Sequence, residues 1–397
     1  MTENMGGPDM APDRRTKGAD APLGLPRPQR SEPSRETRDG PRWRASFTGS
    51  LIVRTADPAG ERETLLEILE RNLVQLPHRR RFDWLYRDNP AGPAWAWFAW
   101  DTRTARAVGT AAVFPRAIWI GDRLARCGQV GDFAVDATHR TLGPAVMLQR
   151  STFEPVDDGL LAFCYDCPPH DRGMAPFLRL GLDATRRTHR YASLLRAERE
   201  IRKRIGPSRA VLPLALLANA ALAVRARRGT TRASGLEIAE HLGRFGEEFT
   251  ALDGEVRDAS LIRGRRCAED LNWRYRDDPL HEHHVLTARR GGRLVGFVVV
   301  RMAGEDAHVL DLFGDLAAGA APALLDAAAD HARRRRAQTL QALLGEGHDV
   351  PDAWRRAGFR PRSAGPHIVA YTHPGAPLGA RLRSPAEWLL RNVDLSA

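Results

Sequence analysis

The sequence predicts an α/β fold in which a central, mostly antiparallel mixed sheet is flanked by helices, and in which this unit occurs twice in tandem. Three observations predict it. Strand and helix patterns alternate along the chain. Residues 126–150 have the pattern of a strand, a tight loop and a helix. The frame Trp-x-Tyr-Arg-Asp-x-Pro starts at Trp84 and again at Trp273, 189 positions later.

The first half contains each element of such a unit in order. Apolar residues at alternating or helical spacing, bounded by Gly, Pro and Asn, predict each element. Leucines at helical spacing predict the first helix, and an aromatic segment that stops at Asn89-Pro90 predicts the second. The predicted order is a strand at 50–54, helices at 61–76 and 81–86, strands at 94–100 and 107–120, the strand, loop and helix at 126–153, a buried strand at 160–165, a helix at 172–180 and a strand ending near 194.

The same order of elements returns in the second half. The Gly291-Gly292 pair predicts a tight hairpin turn between two of its strands. The predicted elements are a strand at 236–239, a helix at 245–252, the aromatic segment at 271–279, strands at 284–288, 294–301 and 307–313, a helix at 321–335, a strand at 339–344 and a helix that ends at 358.

We therefore divide the chain into four segments. Residues 1–46 are rich in Pro, Gly and Arg and have few large apolar side chains, so we expect a disordered tail. Residues 47–194 are the first domain and 195–232 a basic helical linker. Residues 233–397 are the second domain.

The loop within 126–150 is suited to binding an anion. Gly143 permits a tight turn and close approach of a ligand, and Pro144 fits the first turn of the helix that follows. Free N–H groups at the start of this helix, together with Arg140, favour a phosphate or pyrophosphate.

This pattern resembles the acyl-CoA loop of the GNAT superfamily of N-acyltransferases, which typically reads Arg/Gln-x-x-Gly-x-Gly/Ala after a strand. The residues that fill the frame are Arg140, Thr141, Leu142, Gly143, Pro144 and Ala145. The element order of the first half is also the order that this superfamily uses. The resemblance implies an N-acyltransferase with acetyl-CoA or another acyl-CoA as co-substrate, no metal, and a small-molecule or peptide amine as acceptor.

The resemblance also implies roles for individual residues. Backbone N–H groups of Phe133, Ala134 and Val135 are expected to lie along the pantetheine arm and to polarise the thioester carbonyl. Asp132 is a candidate base, with pairing to an arginine as the alternative role. His170 lies where many members have an Asn that positions the cofactor or the acceptor.

The chain departs from the superfamily at the general acid. Many members carry a Tyr four residues before a Gly-Phe pair, where it protonates the leaving thiolate. This chain has Phe177 at that place, before Gly181. Tyr165 on the neighbouring strand, or a water molecule, is therefore the candidate acid.

The corresponding loop of the second half, residues 313–321, keeps a glycine but has no Arg or Gln at the matching place. We therefore expect weak or no acyl-CoA binding there. The second half is expected to shape the acceptor pocket or to hold the two halves together.

Composition and residue spacing indicate the cellular compartment and argue against a membrane span and a metal site. The four Cys residues, without an export signal, favour a reducing cytoplasm. The chain has no apolar run long enough to span a bilayer. The Cys164-x-x-Cys167 pair and the His281–His284 cluster lack the complementary spacing of a metal site, so we expect no metal at either. The oligomeric state is not predicted.

The excess positive charge of the chain is concentrated in one segment, residues 186–232. Within residues 186–232 the basic residues outnumber the acids by as much as the net charge of the whole chain, +11. An apolar run at 211–224 lies inside this segment. It is interpreted as a linker helix packed between domains, or as an interfacial segment that meets an anionic lipid partner.

Two alternatives to the acyl-CoA enzyme stay open. One is a Fem-type tandem protein that takes aminoacyl groups from tRNA, whose nucleic acid would meet the basic segment. The intact loop at Arg140 argues against it, since such proteins do not use acyl-CoA. The other is a binding or scaffold protein that keeps the fold without the chemistry, which the absence of a Tyr at 177 favours.

Overall fold

The computed structural model describes most of the chain beyond residue 42. The described residues are 43–48, 50–169, 171–229, 235–256, 258–317, 319–345, 351–384 and 388–389.

The first half follows the predicted order of elements closely. Its elements are β1 (Trp43–Thr48), β2 (Leu51–Ala56), α1 (Arg62–Asn72), α2 (His78–Tyr86), β3 (Trp95–Asp101), β4 (Arg106–Ile120), β5 (Arg123–Val135), α3 (Leu142–Ser151), α4 (Glu154–Asp157), β6 (Cys164–Asp166), α5 (Asp171–Arg179) and β7 (Arg186–Leu194). The strand predicted at 160–165 begins only at Cys164, because the N–H groups of Leu160 and Leu161 donate to the carbonyl of Pro155 and close α4. Strand β1 pairs with β2 and starts inside the segment predicted to be disordered. The rest of that tail lies outside the described residues.

Beyond residue 194 the structure contains the predicted elements, together with several short ones and the 12-residue strand β14 that the sequence pattern did not predict. The elements of this part are α6 (Glu198–Ile205), α7 (Val211–Gly229), β8 (Leu236–His241), α8 (Glu247–Glu255), β9 (Ile262–Gly264), α9 (Ala268–Tyr275), β10 (His284–Arg290), β11 (Arg293–Ala303), β12 (Asp306–Gly314), α10 (Ala320–Arg334), β13 (Thr339–Gly345), α11 (Pro351–Arg356), β14 (Arg360–Tyr371), α12 (Leu378–Leu382) and β15 (Trp388–Leu389). Gly291 and Gly292 both have positive φ, +56° and +80°, as the predicted hairpin turn requires.

The strands form one continuous mixed sheet. Its order is β1-β2-β3-β4-β5-β6-β14-β7-β13-β12-β11-β10-β8, with β9 joined to β4 and β15 to β9. Along this path the described pairs are antiparallel except β5 with β6 and β12 with β13, which are parallel. Each half therefore has the same parallel pair at the same place in its sheet, and the predicted fold class is confirmed.

Two strands cross from one half to the other. Strand β7 pairs with β13 from Leu194–Thr339 to Thr188–Gly345, and also with β14. Strand β14 in turn pairs with β6, through Tyr371 and Cys164. Each half thus completes its sheet with backbone hydrogen bonds to a strand of the other half. The predicted domain boundary at residue 194 separates segments of sequence that share one sheet, and the division into domains stays a proposal.

The two tryptophans of the repeated frame meet each other. The rings of Trp84 and Trp273 stack with centroids 4.9 Å apart. Trp84 Nε1 donates to the carbonyl of Trp273 at 2.8 Å, and Trp273 Nε1 donates to the carbonyl of Trp84 at 3.0 Å. Reciprocal contact between equivalent residues is what a local two-fold axis produces. The sequence repeat therefore marks the contact between the halves.

Helices cover both faces of the sheet around β5. Leu65 of α1 and Phe82 of α2 pack in one cluster with Ala134 of β5. Leu148 of α3 packs on the opposite face, in a cluster with Val135. Successive residues of β5 thus face different helices, as the period of a strand requires.

Helices α6 and α7 form most of the segment predicted to be a linker. The side chain of Asn219 accepts the N–H of Ala197 at 2.9 Å and donates to Glu198 at 3.0 Å, which joins the two helices. Leu216 and Leu217 of α7 are 63% and 71% exposed. Among the described residues, no helix has the length and apolar character needed to cross a membrane.

Candidate active site

Strands β5 and β6 diverge after Gln129 and Tyr165, where their described pairing ends. Their parallel register contains Gly128 with Cys164 and Gln129 with Tyr165. Strand β6 ends at Asp166, whereas β5 continues to Val135. In the described structure, the edge of β5 beyond Gln129 is therefore open to an extended ligand. Such a ligand would pair with it as an added strand does.

A β-bulge lies in the open part of β5. Thr110 of β4 pairs with Ala134, whereas Ala112 pairs with Gly131, so two residues of β5, Asp132 and Phe133, lie opposite one residue of β4. Asp132 has a φ of +47°. A bulge redirects side chains and backbone groups, and bulges are frequent beside active sites. The predicted thioester-binding residues follow directly after Asp132.

The bulge turns Asp132 toward helix α2. One of its carboxylate oxygens accepts a hydrogen bond from Arg81 Nη2, and the other accepts from Tyr86 Oη at 2.9 Å. All three side chains are buried. Burial, together with the adjacent Asp132 carboxylate, holds the pKa of Tyr86 well above its ordinary value, so this hydroxyl stays a donor. The structure therefore shows the arginine pairing that the sequence analysis left as the alternative for Asp132.

A similar cluster occurs in the second half, with an arginine that lies before the helix and not within it. Asp311 of β12 accepts from Arg266 Nε at 3.0 Å and from Tyr275 Oη at 3.3 Å. Tyr275 and Tyr86 are the tyrosines of the repeated frame. The cluster thus occurs in a half whose loop lacks the predicted cofactor arginine. This recurrence favours a structural role for Asp132, in which the carboxylate ties the bulged strand to its helix.

The predicted cofactor loop is held by the end of α1. Asp136 accepts two hydrogen bonds from Arg71, both at 2.7 Å, and a third from Asn72 at 2.7 Å. Arg140 is exposed, and its guanidinium donates to the carbonyl of Val135 at 3.2 Å and to the side chain of Asn72 at 3.3 Å. Because these acceptors are neutral oxygens, the charge of Arg140 is available to an anion.

Helix α3 begins directly after this loop. Its N-cap, Thr141, is extended and makes no side-chain cap hydrogen bond in the described structure. The first N–H groups of the helix, those of Leu142 and Gly143, have no intrahelical partner, and Pro144 has no N–H. The helix dipole adds partial positive charge at this end. The structure thus brings Arg140, the helix start and the open edge of β5 together.

The predicted acid, Tyr165, is buried beside the paired part of β5. Tyr165 is 2% exposed and lies beside the rings of Phe163 and Trp388. In the register of the sheet its neighbour is Gln129, on the paired part of β5. His170 lies outside the described residues.

Asp166 is a further candidate residue that was not predicted from the sequence. This residue ends β6 at the point where β5 and β6 diverge, and its carboxylate accepts the N–H of Cys167 at 2.6 Å. Burial raises the pKa of Asp166 to about 7. A carboxyl group with such a pKa exchanges protons near neutral pH. Its position at the carboxyl end of a buried strand was the signal in the sequence.

Loop 313–321 of the second half differs in charge from the loop at Arg140. It carries the exposed carboxylate of Asp315, which accepts the N–H of Ala317 at 3.2 Å. Helix α10 starts after Gly319, whose φ is +87°. A carboxylate disfavours a nearby pyrophosphate, and the expectation of weak or no acyl-CoA binding there stays a prediction.

A group of potential metal ligands lies on the second half, away from the loop at Arg140. Atoms of Glu240, His284 and His331 lie within 4.8 Å of one another. Arg335 donates to His331 Nδ1 at 3.2 Å, so the proton of a neutral imidazole is on the other nitrogen. That proton and the nearby arginine both disfavour a cation. The expected absence of a metal stays a prediction.

A cleft of about 340 Å³ lies at the contact between the halves. It is lined by Arg81, Trp84 and Arg116 from the first half and by residues of α9, β11 and the segment before β10 from the second half. Sequence reasoning missed this cleft because its walls come from segments that only the pairing of the two halves brings together.

The fold is shared with solved structures. One is a protein from Enterococcus faecalis V583 described as a probable N-acyltransferase, with a TM-score of 0.59, 14% identity, and coverage of 81% of this chain and 72% of that chain. Others are GCN5-related N-acetyltransferases from Kribbella flavida (TM-score 0.55, 16% identity, 81% and 71% covered) and Anabaena variabilis (TM-score 0.57, 10% identity, 80% and 72% covered).

At these identities the likeness establishes the fold, so the resemblance to the GNAT superfamily is confirmed at the level of the fold. The sequence matches no protein-family model and no curated protein.

Proposed function

We propose that the chain is an acyl-CoA-dependent N-acyltransferase that moves an acyl group, with acetyl as the simplest case, to an amine. The observation that carries the proposal is the open edge of bulged strand β5, which leads directly to Arg140 and the start of α3. The descriptions of the three solved structures that share the fold, as N-acetyltransferases or a probable N-acyltransferase, support it.

Each part of the site has a role in the proposed reaction. The start of α3 and Arg140 hold the pyrophosphate. The edge of β5 binds the pantetheine arm, and backbone N–H groups at Phe133–Val135 polarise the thioester carbonyl. The amine attacks the carbonyl carbon, loses a proton, and displaces the thiolate, which takes up a proton as it leaves. Positioning the two reactants supplies much of the rate in such a transfer.

The proton acceptor that we propose is Asp166. Its pKa, raised to about 7 by burial, suits a base at neutral pH, and it lies where β5 and β6 diverge. Both oxygens of Asp132 already accept hydrogen bonds from Arg81 and Tyr86. Tyr165 and His170 stay candidates for protonating the thiolate and for positioning the reactants.

The setting that we propose is the cytoplasm. The chain's cysteines are free thiols, as a reducing compartment favours.

The test is calorimetric titration with acetyl-CoA and longer acyl-CoAs. The proteins are the intact chain, Arg140→Ala, Gly143→Asp, and Arg334→Ala as a control that removes one exposed charge elsewhere. We expect one site per chain, lost or strongly weakened in the first two variants and unchanged in the control. No binding by the well-folded intact chain would overturn the proposal and favour the binding or scaffold alternative.

A further inference from the structure

The cleft between the halves contains buried nitrogen atoms without partners. Arg81 is 4% exposed and His283 is 6% exposed. Among the described residues, Arg81 Nε, His283 Nδ1 and Arg301 Nε have no hydrogen-bond partner. All three residues line the cleft. Because leaving a buried polar group unpaired costs about 1–3 kcal/mol, groups of this kind are expected to meet a ligand or water.

The cleft is also cationic. Its described walls carry Arg81, Arg116, Arg274 and Arg301, with Asp278 as the carboxylate. Asp278 accepts the N–H of Leu280 at 2.8 Å and contacts His281 at 3.1 Å. Arg81 is already paired with Asp132, and the single charge of Asp278 offsets only part of the combined charge of Arg116 and Arg301.

Arg116 is buried without an ion pair among the described residues. Its guanidinium donates to Gln129 Oε1 at 3.2 Å and to the carbonyl of Pro115 at 3.1 Å, and it lies 5.0 Å from the ring centre of Trp273. Arg274 lies over the same ring, at 5.4 Å. Burial and the nearby Arg274 lower the pKa of Arg116 to about 10. A buried cation of this kind is stabilised by a bound anion.

The cleft reaches the bulged strand through Arg81. This side chain lines the cleft and also donates to Asp132, the first residue of the bulge. The predicted thioester-binding residue Phe133 comes next in the chain. A molecule held in the cleft would therefore lie next to the strand on its α2 face, whereas α3 packs on the opposite face.

We propose that the cleft binds the anionic group, a carboxylate or a phosphate, of the acceptor amine. Naming this ligand the acceptor rests on the proposed function, whereas the binding of an anion does not. The arginines hold the charged group, and the amine of the same molecule is presented to the strand. The substrate class is therefore an amine that also carries an acid, such as an amino acid or an amino-containing phosphate ester.

The test is calorimetric titration with inorganic phosphate and with malonate, at constant ionic strength set by chloride, of the full chain and of its Arg140→Ala variant, in which the proposed pyrophosphate site is weakened. The variant is Arg301→Gln, because Arg301 is only half-buried and its Nε has no hydrogen-bond partner among the described residues. The matched control is Arg334→Gln, which removes an exposed charge on α10. We expect saturable binding that Arg301→Gln weakens about tenfold or more and the control leaves unchanged, as for a charged hydrogen bond.

Two results would overturn the inference: no saturable binding of either anion by the Arg140→Ala variant, or equal affinity with and without Arg301→Gln in that variant. Tighter binding of phosphate or of malonate assigns the acid. Acyl-CoA titrations of the same variants separate this inference from the proposed function. Arg140→Ala should lose acyl-CoA binding and keep binding of the anion in the cleft. Arg301→Gln should weaken binding of the anion and keep acyl-CoA binding. Acyl-CoA binding without anion binding would defeat this inference alone, and anion binding without acyl-CoA binding would defeat the proposed function alone.

Discussion

Replacement of Asp132 by Asn distinguishes a structural carboxylate from a catalytic one. Asn keeps an oxygen for the hydroxyl of Tyr86 but removes the charge opposite Arg81. The side chains of Arg81 and Asp132 are each 5% exposed, so the substitution leaves a buried arginine without its counter-charge. Breaking a buried pair in this way costs about 3–5 kcal/mol. We expect a cost at the lower end of this range, about 3 kcal/mol, because Arg81 borders the cleft and water there can partly solvate it.

The second half supplies the matched control. Asp311→Asn removes the partner of Arg266, which is 4% exposed and donates to both oxygens of Asp311, itself 1% exposed. This pair is more enclosed than the first, so we expect the upper end of the range, about 5 kcal/mol. If the clusters are structural, Asp311→Asn should therefore destabilise the chain more than Asp132→Asn.

The assay is equilibrium denaturation in urea followed by circular dichroism, together with acyl-CoA binding by each folded variant. We expect both variants to unfold at lower urea than the intact chain, with unchanged slopes. Asp132→Asn is expected to bind acyl-CoA as long as it is folded. An Asp132→Asn protein whose stability lies within about 0.5 kcal/mol of the intact chain, but which has lost acyl-CoA binding, would refute this reasoning and make Asp132 part of the cofactor site.

Three further predictions follow from other parts of the molecule. The pKa of Asp166 is raised to about 7 in the folded chain, against about 4 in an unfolded chain, so ionisation of this carboxyl should destabilise the fold as the pH rises from 4 to 8. The Asp166→Asn variant should therefore melt at a higher temperature than the intact chain at pH 8 and at the same temperature at pH 4. Equal gains in melting temperature at both pH values would contradict this. Trp273→Phe keeps a stacked ring but loses the hydrogen bond to the carbonyl of Trp84, and should cost about 1 kcal/mol in urea denaturation; an unchanged midpoint would mean that this bond does not join the halves. Leu216 and Leu217 of α7 are exposed and lie in the basic segment predicted to meet an anionic partner, so the chain should sediment with phosphatidylserine vesicles and not with phosphatidylcholine vesicles. A variant with both Leu216→Ser and Leu217→Ser should sediment less with the phosphatidylserine vesicles. Equal sedimentation of the variant and the intact chain would exclude α7 as the contact.

The elements that the sequence predicted well depend on near neighbours in the chain. Helix α2, the hairpin turn at Gly291-Gly292 and the loop before α3 follow from spacing, turn residues and Pro positions, which act within a few residues. The strand predicted at 160–165 was too long, because carbonyl groups of α4 take N–H groups that the pattern assigned to the strand. The long strand β14 was missed, since its partners β6 and β7 lie far away in the sequence.

The sequence by itself determined that the chain has two similar halves, that strand β5 leads through Arg140 into a helix, and that the second half lacks that arginine. These are properties of order and spacing along the chain. Only the tertiary structure decided that Asp132 pairs with Arg81 and that Asp166 lies where two strands diverge. It also decided that β7 and β14 join the halves into one sheet and that a cationic cleft lies between them. The physical reason is that burial and charge pairing depend on which distant segments meet, and residue types in sequence order do not specify those partners.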